Sequence, residues 1–217
     1  MIPLVTRLVF ASIMSAAAVA LIAGCGTSGS TGTSSANLQV TKAQAVAYAH
    51  AVNLRAGDVA GTKITRNAEV VIAPSGASRF LRCAGIPGAN LLIEMHSAVL
   101  SAHYWWMQSN VGVMPNNALA AAYVSSIGSS HGRRCLAATS ANSLHATLSP
   151  LAAPPPIVGI RATSTAGGYP SIHTDTFAFA SGRVVVALNA QGLHTPPLKI
   201  AQHVASLLYS RAETYKL

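Results

Sequence analysis

The sequence predicts an α+β fold: a twisted antiparallel sheet packed by helices, with one intradomain disulfide. Three observations lead there. Residues 174–180 and 183–189 are β-branched and aromatic runs flanking the tight turn Ser181-Gly182, the clearest hairpin signal in the chain. Beyond it, Ile200, Val204, Leu207, Leu208 and Arg211 recur at helical spacing, giving one apolar face. Two cysteines of the folded part, Cys83 and Cys135, can pair.

The elements follow in order. Thr41-Lys42-Ala43-Gln44 has the form of a capping box, in which the Thr hydroxyl accepts from the Gln44 N–H while the Gln side chain reaches back. The Ala-rich run to Val52 is then the first helix, and Gly57 and Gly61 turn the chain after it. Val70-Val71-Ile72 is a short strand, interrupted by Pro74-Ser75-Gly76, and 78–84 is a short helix carrying Cys83. Residues 98–114 read as one long, kinked strand, because Tyr104, Trp105 and Trp106 favour a pleated sheet. Asn116-Asn117 can cap a helix through Ile127. A second helical piece over 133–148 carries Cys135, with Gly128 and Gly132 marking a break between the two. Residues 150–156 are an extended connector and 157–165 a strand, followed by the hairpin. In the final helix Thr195 is the N-cap and Pro196 the first helical residue. The order α, β, short α, β, α, β, β, β, α suits an antiparallel sheet covered by helices.

Ahead of this domain, Arg7 is the only charge before an almost wholly apolar run over 8–23, the layout of a secretory signal peptide. The run is shorter than the roughly 20 residues a spanning helix needs. Its end, Ile22-Ala23-Gly24-Cys25, resembles the bacterial lipobox: an aliphatic residue, two small residues and the cysteine that is lipidated. The resemblance implies a signal peptide over 1–24, a lipidated Cys25, and a membrane partner reached through acyl chains. Residues 25–37 are then the lipidated cysteine with a Gly/Ser/Thr tether, and 38–217 a single extracytoplasmic domain. An uncleaved membrane helix and a signal peptide cut near Ala18 or Ala20 are the alternatives.

Charge narrows the partners. Thirteen of the fourteen Lys and Arg lie after Arg7, against five acids (Asp58, Glu69, Glu94, Asp175 and Glu213), so the mature part is basic by about eight charges. Outside the cytoplasm that balance favours anionic lipid or an acidic envelope glycan. The bases are spread, with no Lys/Arg run and no aromatic interleaving, which argues against nucleic acid. No sequence feature names a protein partner. With Cys25 acylated, the even remainder reads as a Cys83–Cys135 disulfide in an oxidising compartment, or else as two buried thiols. The bond would close a loop of about 53 residues, for which loop-closure entropy gives roughly 4 kcal/mol. It would also gather Arg79, Arg82, Arg133 and Arg134, as a solvated surface or as an anion site whose guanidinium forks match phosphate and carboxylate.

Catalytic and metal motifs are missing from the sequence. His173-Thr174-Asp175 places an imidazole and a carboxylate two apart, but there is no GxSxG elbow. A glycosidase would need two carboxylates together, and only Glu69 and Glu94 lie in core regions. The eight histidines show no HxH, HxxxH or HExxH spacing, and no phosphate loop or dinucleotide fingerprint suggests a cofactor. Tyr104-Trp105-Trp106 is either core packing or the lining of a ligand pocket.

The whole layout resembles the small extracytoplasmic domains of actinobacterial lipoproteins and receptor kinases, the PknH-like sensor domains and the PsbP-like lipoproteins of the LpqN kind. Carrying the resemblance are the lipobox at Cys25 and the capped helix running into Leu54-Arg55-Ala56-Gly57-Asp58-Val59. The cysteines within Arg82-Cys83 and Arg133-Arg134-Cys135, the strand pair around Gly182-Arg183-Val184-Val185-Val186 and the closing helix complete it. It implies a sheet flanked by helices and a ligand- or partner-binding, sensor-like role without chemistry of its own. A structural envelope adaptor and a small envelope hydrolase are the competing readings.

Overall fold

The protein is described here by a computed structural model covering residues 40–71, 77–86, 91, 93–139, 145–165, 171–193 and 198–217. Cys25, the tether and the Thr195-Pro196 cap lie outside the described residues.

The first helix, α1 (Lys42–Val52), begins with the capping box that its sequence announces. Gln44 N donates to Thr41 Oγ1 at 3.2 Å, and Thr41 N donates to Gln44 Oε1 at 2.9 Å. Ala45, Tyr48, Ala49 and Val52, spaced three and four apart, form its buried stripe. Among the described residues nine antiparallel strands follow: β1 (Lys63–Arg66), β2 (Glu69–Val71), β3 (Ile93–His96), β4 (Val99–Ser101), β5 (Trp105–Val113), β6 (His145–Leu151), β7 (Val158–Thr165), β8 (Ile172–Ser181) and β9 (Val184–Gly192). The sheet runs β1-β4-β5-β9-β8-β7-β6, with β2-β3 beside the same edge of β5. Between β2 and β3 lies α2 (Ala77–Cys83); α3 (Asn117–Gly128) and α4 (Ser130–Thr139) separate β5 from β6, and α5 (Leu198–Thr214) closes the chain.

Strand alternation sorts the sheet into two faces. Met107, Val111 and Val113 of β5, Phe177 and Phe179 of β8, and Val184, Val186 and Leu188 of β9 pack with α1 and α5 in one large cluster. Val185, Ala187, Ala178 and Ile160 point the other way, under α2, α3 and α4, where the core divides into two smaller clusters. The domain is thus a layer of helices on each side of one antiparallel sheet.

Three expectations need correction. Residues 98–114 are not one strand: Ala102 N donates to Trp105 O at 2.9 Å, and the chain reverses so that β4 pairs with β5, Ser101 opposite Trp106. Nor are 133–148 a single helix, since α4 ends at Thr139 and His145–Leu151 is an edge strand on β7. The break between α3 and α4 is at Ser129, whose N–H still reaches Ser125 O and Ser126 O. Gly132 lies inside α4, where a Cβ would meet Ser126 O at 1.7 Å, so only glycine lets the two helices abut so closely. Finally, the inner face of α5 is Ala201, Val204, Ala205, Leu208 and Ala212, whereas Ile200 is exposed. Small residues there let the helix lie close on the sheet.

A polar clasp joins α1 to the sheet where β3 gives way to β4. Leu54 N donates to Ser109 Oγ at 2.8 Å, Asn53 Nδ2 to Met95 O at 3.3 Å and Ser109 N to Ser97 Oγ at 2.9 Å, while the Ser109 hydroxyl also donates to Asn53 Oδ1. A second tie crosses the same face: both Nη atoms of Arg211 hold Asp58, at 2.7 and 2.6 Å.

Candidate functional site

The candidate site is a small cavity between the sheet and α3, about 70 Å³ in volume. Its floor comes from three strands: Glu94 on β3, Asn110 and Gly112 on β5, and Val185 and Ala187 on β9; Leu91 and Tyr123 wall it. Register brings the polar members together, with Glu94 opposite Gly112 and His96 opposite Asn110. Leu91 lies over Gly112, where a Cβ would come within 2.6 Å of its Cδ2.

Two acceptors give the cavity its character. Glu94 is buried, and its Oε1 lies 3.3 Å from His96 Nε2. Its other oxygen, Oε2, and the buried Oδ1 of Asn110 have no hydrogen-bond partner among the described residues. Buried polar atoms are normally paired, because leaving one unpaired costs about 1–3 kcal/mol. Above them the Tyr123 phenol is pushed up to about 12, by burial first and by the negative Glu94 second. Its ring is steadied by a T-shaped contact with Phe80, 5.5 Å between centroids. An apolar-walled hollow with two unengaged acceptors can receive a group that donates hydrogen bonds, above all a cationic one.

On the same face, Cys83 of α2 and Cys135 of α4 form a disulfide with Cα atoms 5.6 Å apart. His131 reinforces the junction, its Nε2 lying 3.0 Å from Cys83 O and 3.7 Å from Cys135 Sγ. Of the anticipated arginines, three have described side chains. Arg82 and Arg134 are exposed, but Arg133 donates to Gly128 O at 2.6 Å, completing the end of α3. The side chain of Arg79 lies outside what is described.

Other anticipated residues are placed elsewhere. Tyr104, Trp105 and Trp106 do not line the cavity: Tyr104 is exposed in the β4–β5 turn, and Trp105 packs partly against the large core cluster. Asp175 is fully buried and engaged by Arg161, through Nε at 2.6 Å and Nη2 at 2.7 Å, with His173 Nδ1 instead 3.2 Å from Thr163 Oγ1. Glu69 pairs in register with His96, and Glu94 with Val71. No group of three or more potential metal ligands exists among the described residues. Sequence reasoning passed over Asn110 and the pocket role of Glu94; the available signal was an acid between Ile93 and Met95 in an apolar run.

Fold and site together define an α+β domain with an antiparallel open sheet, helices on both faces, one disulfide and a small polar hollow. No helix among the described residues is long and apolar enough to cross a membrane. No family model and no curated protein matches the chain. Among solved structures it is similar to the extracellular domain of PknH from Mycobacterium tuberculosis, at 12% identity and TM-score 0.45, over 71% of this chain and 82% of that one. It is also similar to a putative uncharacterized protein from Mycobacterium smegmatis, at 10% identity and TM-score 0.43, over 71% and 90%.

Proposed function

We propose that this chain is a lipid-anchored, extracytoplasmic binding domain without chemistry of its own, which receives a hydrogen-bond-donating cationic group of a larger partner at Glu94 and Asn110. The observation that carries the binding role is the pair of buried acceptors in one hollow that have no partner among the described residues. Volume selects the kind of ligand. Pockets for whole organic molecules run to about 300–1,000 Å³, and this one, at about 70 Å³, holds a functional group or a few waters. The disulfide supports an oxidising compartment, and the lipobox-like sequence at Cys25 supports the anchor.

Two measurements test the two halves. Replacing Cys25 with Ala should release the chain or leave it uncleaved; persistence in the membrane fraction after signal-peptide removal would remove the anchor from the reading. For the pocket, methylammonium chloride should raise the melting temperature saturably, whereas tetramethylammonium chloride, which has no N–H, should not. Glu94→Gln should abolish the methylammonium effect while leaving the circular dichroism of the unliganded chain unchanged, since Gln keeps the shape of the side chain and removes its charge. Equal responses to both salts, or an unchanged response in the variant, would sink the pocket assignment.

A further inference from the structure

Six large apolar side chains are exposed among the described residues, and three of them gather at one end of the sheet: Ile64, Tyr104 and Leu193, which are 50%, 55% and 49% exposed. The register puts them there. Lys63 lies opposite Ser101, Ser101 opposite Trp106, and Trp105 opposite Gly192, so the start of β1, the β4–β5 turn and the end of β9 share one rim. Both tryptophans of the chain sit just behind it, each partly exposed. Scattered exposed leucines need no explanation, but a cluster of apolar and aromatic side chains at one end marks a contact surface.

Charge selects the contact. Exposed Lys63 stands on the rim, Arg66 is at the far end of the same strand, and His103 packs edge-on against Tyr104, centroids 4.0 Å apart. Four of the five acids are occupied or distant, and the fifth, Glu69, is set back from the rim on β2, opposite His96. Asp58 is held by Arg211, Asp175 by Arg161 and Glu94 is buried, while Glu213 takes the Ser181 hydroxyl at 2.8 Å, at the opposite end of β8. Aromatic rings and aliphatic tips bordered by cations, on a chain basic overall, complement the interfacial layer of an anionic bilayer.

We infer that this rim, Ile64, Tyr104 and Leu193 backed by Trp105 and Trp106, dips into the headgroup layer of an anionic membrane. The inference rests on the anchored reading and adds an orientation to it. Gly112, on the pocket floor, is six residues along β5 from Trp106, which at about 3.4 Å per residue places the Glu94 cavity roughly 20 Å from the rim. The rim would hold the domain upright with its pocket facing away from the lipid.

The test uses the two tryptophans as reporters, since there are no others. The full chain, purified from membranes, is reconstituted into vesicles of phosphatidylcholine and phosphatidylglycerol, with and without brominated acyl chains. The rim predicts emission shifted to shorter wavelength and quenched by the brominated lipid, both weakened when phosphatidylglycerol is omitted. In the variant Ile64→Ser/Tyr104→Ser/Leu193→Ser the chain should still float with the vesicles, with quenching lost and circular dichroism unchanged. Tyr104→Phe alone should keep the quenching. A vesicle-bound wild type with unquenched, water-like emission would overturn the rim and leave the anchor standing, and so would a triple variant quenched like wild type. A chain that neither floats nor shifts its emission would overturn both.

Discussion

The two faces of the sheet are held by different means. Against α1 and α5 lies one continuous cluster, with Phe177, Val186, Val204 and Leu208 fully buried and Tyr48, Asn53 and Arg211 tying the helices to their surroundings. Against α2, α3 and α4 the core divides in two, and a covalent bond supplements burial. That second face also keeps one carboxylate oxygen of Glu94 and the amide oxygen of Asn110 without a partner among the described residues, under α3. The contrast teaches where tolerance lies: a face whose apolar packing is complete has no room for unpaired groups, and one stapled by a disulfide does.

The largest effect should come from the staple. Cys83→Ser and Cys135→Ser should each cost on the order of 2–5 kcal/mol, with the double variant no worse than the worse single one. Hydrogen exchange after reduction should quicken in α2 and α4 before α5; uniform loosening would erase the distinction between the faces. Next, Leu208→Ala on the continuous face should cost about 2–5 kcal/mol in urea unfolding, because that site cannot collapse around the cavity. A cost under about 1 kcal/mol would show this face to be plastic.

A smaller effect should follow pH through Asp58. Burial alone would raise its carboxyl, but the Arg211 hydrogen bonds and the Arg55 N–H outweigh burial and hold it below the usual carboxylate range. A depressed folded-state value stabilises above the unfolded value of about 3.9 and is lost as pH falls through the folded one. Asp58→Asn should therefore cost about 1–3 kcal/mol near pH 7, with the gap to wild type narrowing below about pH 4. A gap independent of pH would mean that shape, and not charge, joins this loop to α5.

Where local chemistry decides the structure, the residues announce it. Thr41 and Gln44 make the α1 cap, Asn116 caps α3 through Leu119 N, and Ser181-Gly182 opens the hairpin turn, with Gly182 at φ 56°. The reversal at Ala102-His103-Tyr104 was invisible because it contains no Gly, Pro, Asn or Asp; pairing across strands decides it. The β6 strand was hidden behind a Pro at position 150, which an edge position tolerates. The pocket was harder still. Glu94 and Asn110 become neighbours only through the β3–β5 register, and no spacing along the chain encodes that.

Both ends of the sheet are built so as not to be extended by another molecule. On one side the border strand is split into β1 and β2, with a register irregularity between Ile64 and Arg66 and four exposed residues including Lys63 and Arg66. On the other, β6 carries Pro150, which has no N–H to offer an incoming strand. Interrupted, charged and proline-bearing borders oppose strand-to-strand polymerisation. For proteins crowded side by side on one surface, as proposed here, encounters between like neighbours are frequent and the sheet borders meet at the same height. Blunted borders would keep such a population dispersed, so that each copy meets its partner singly.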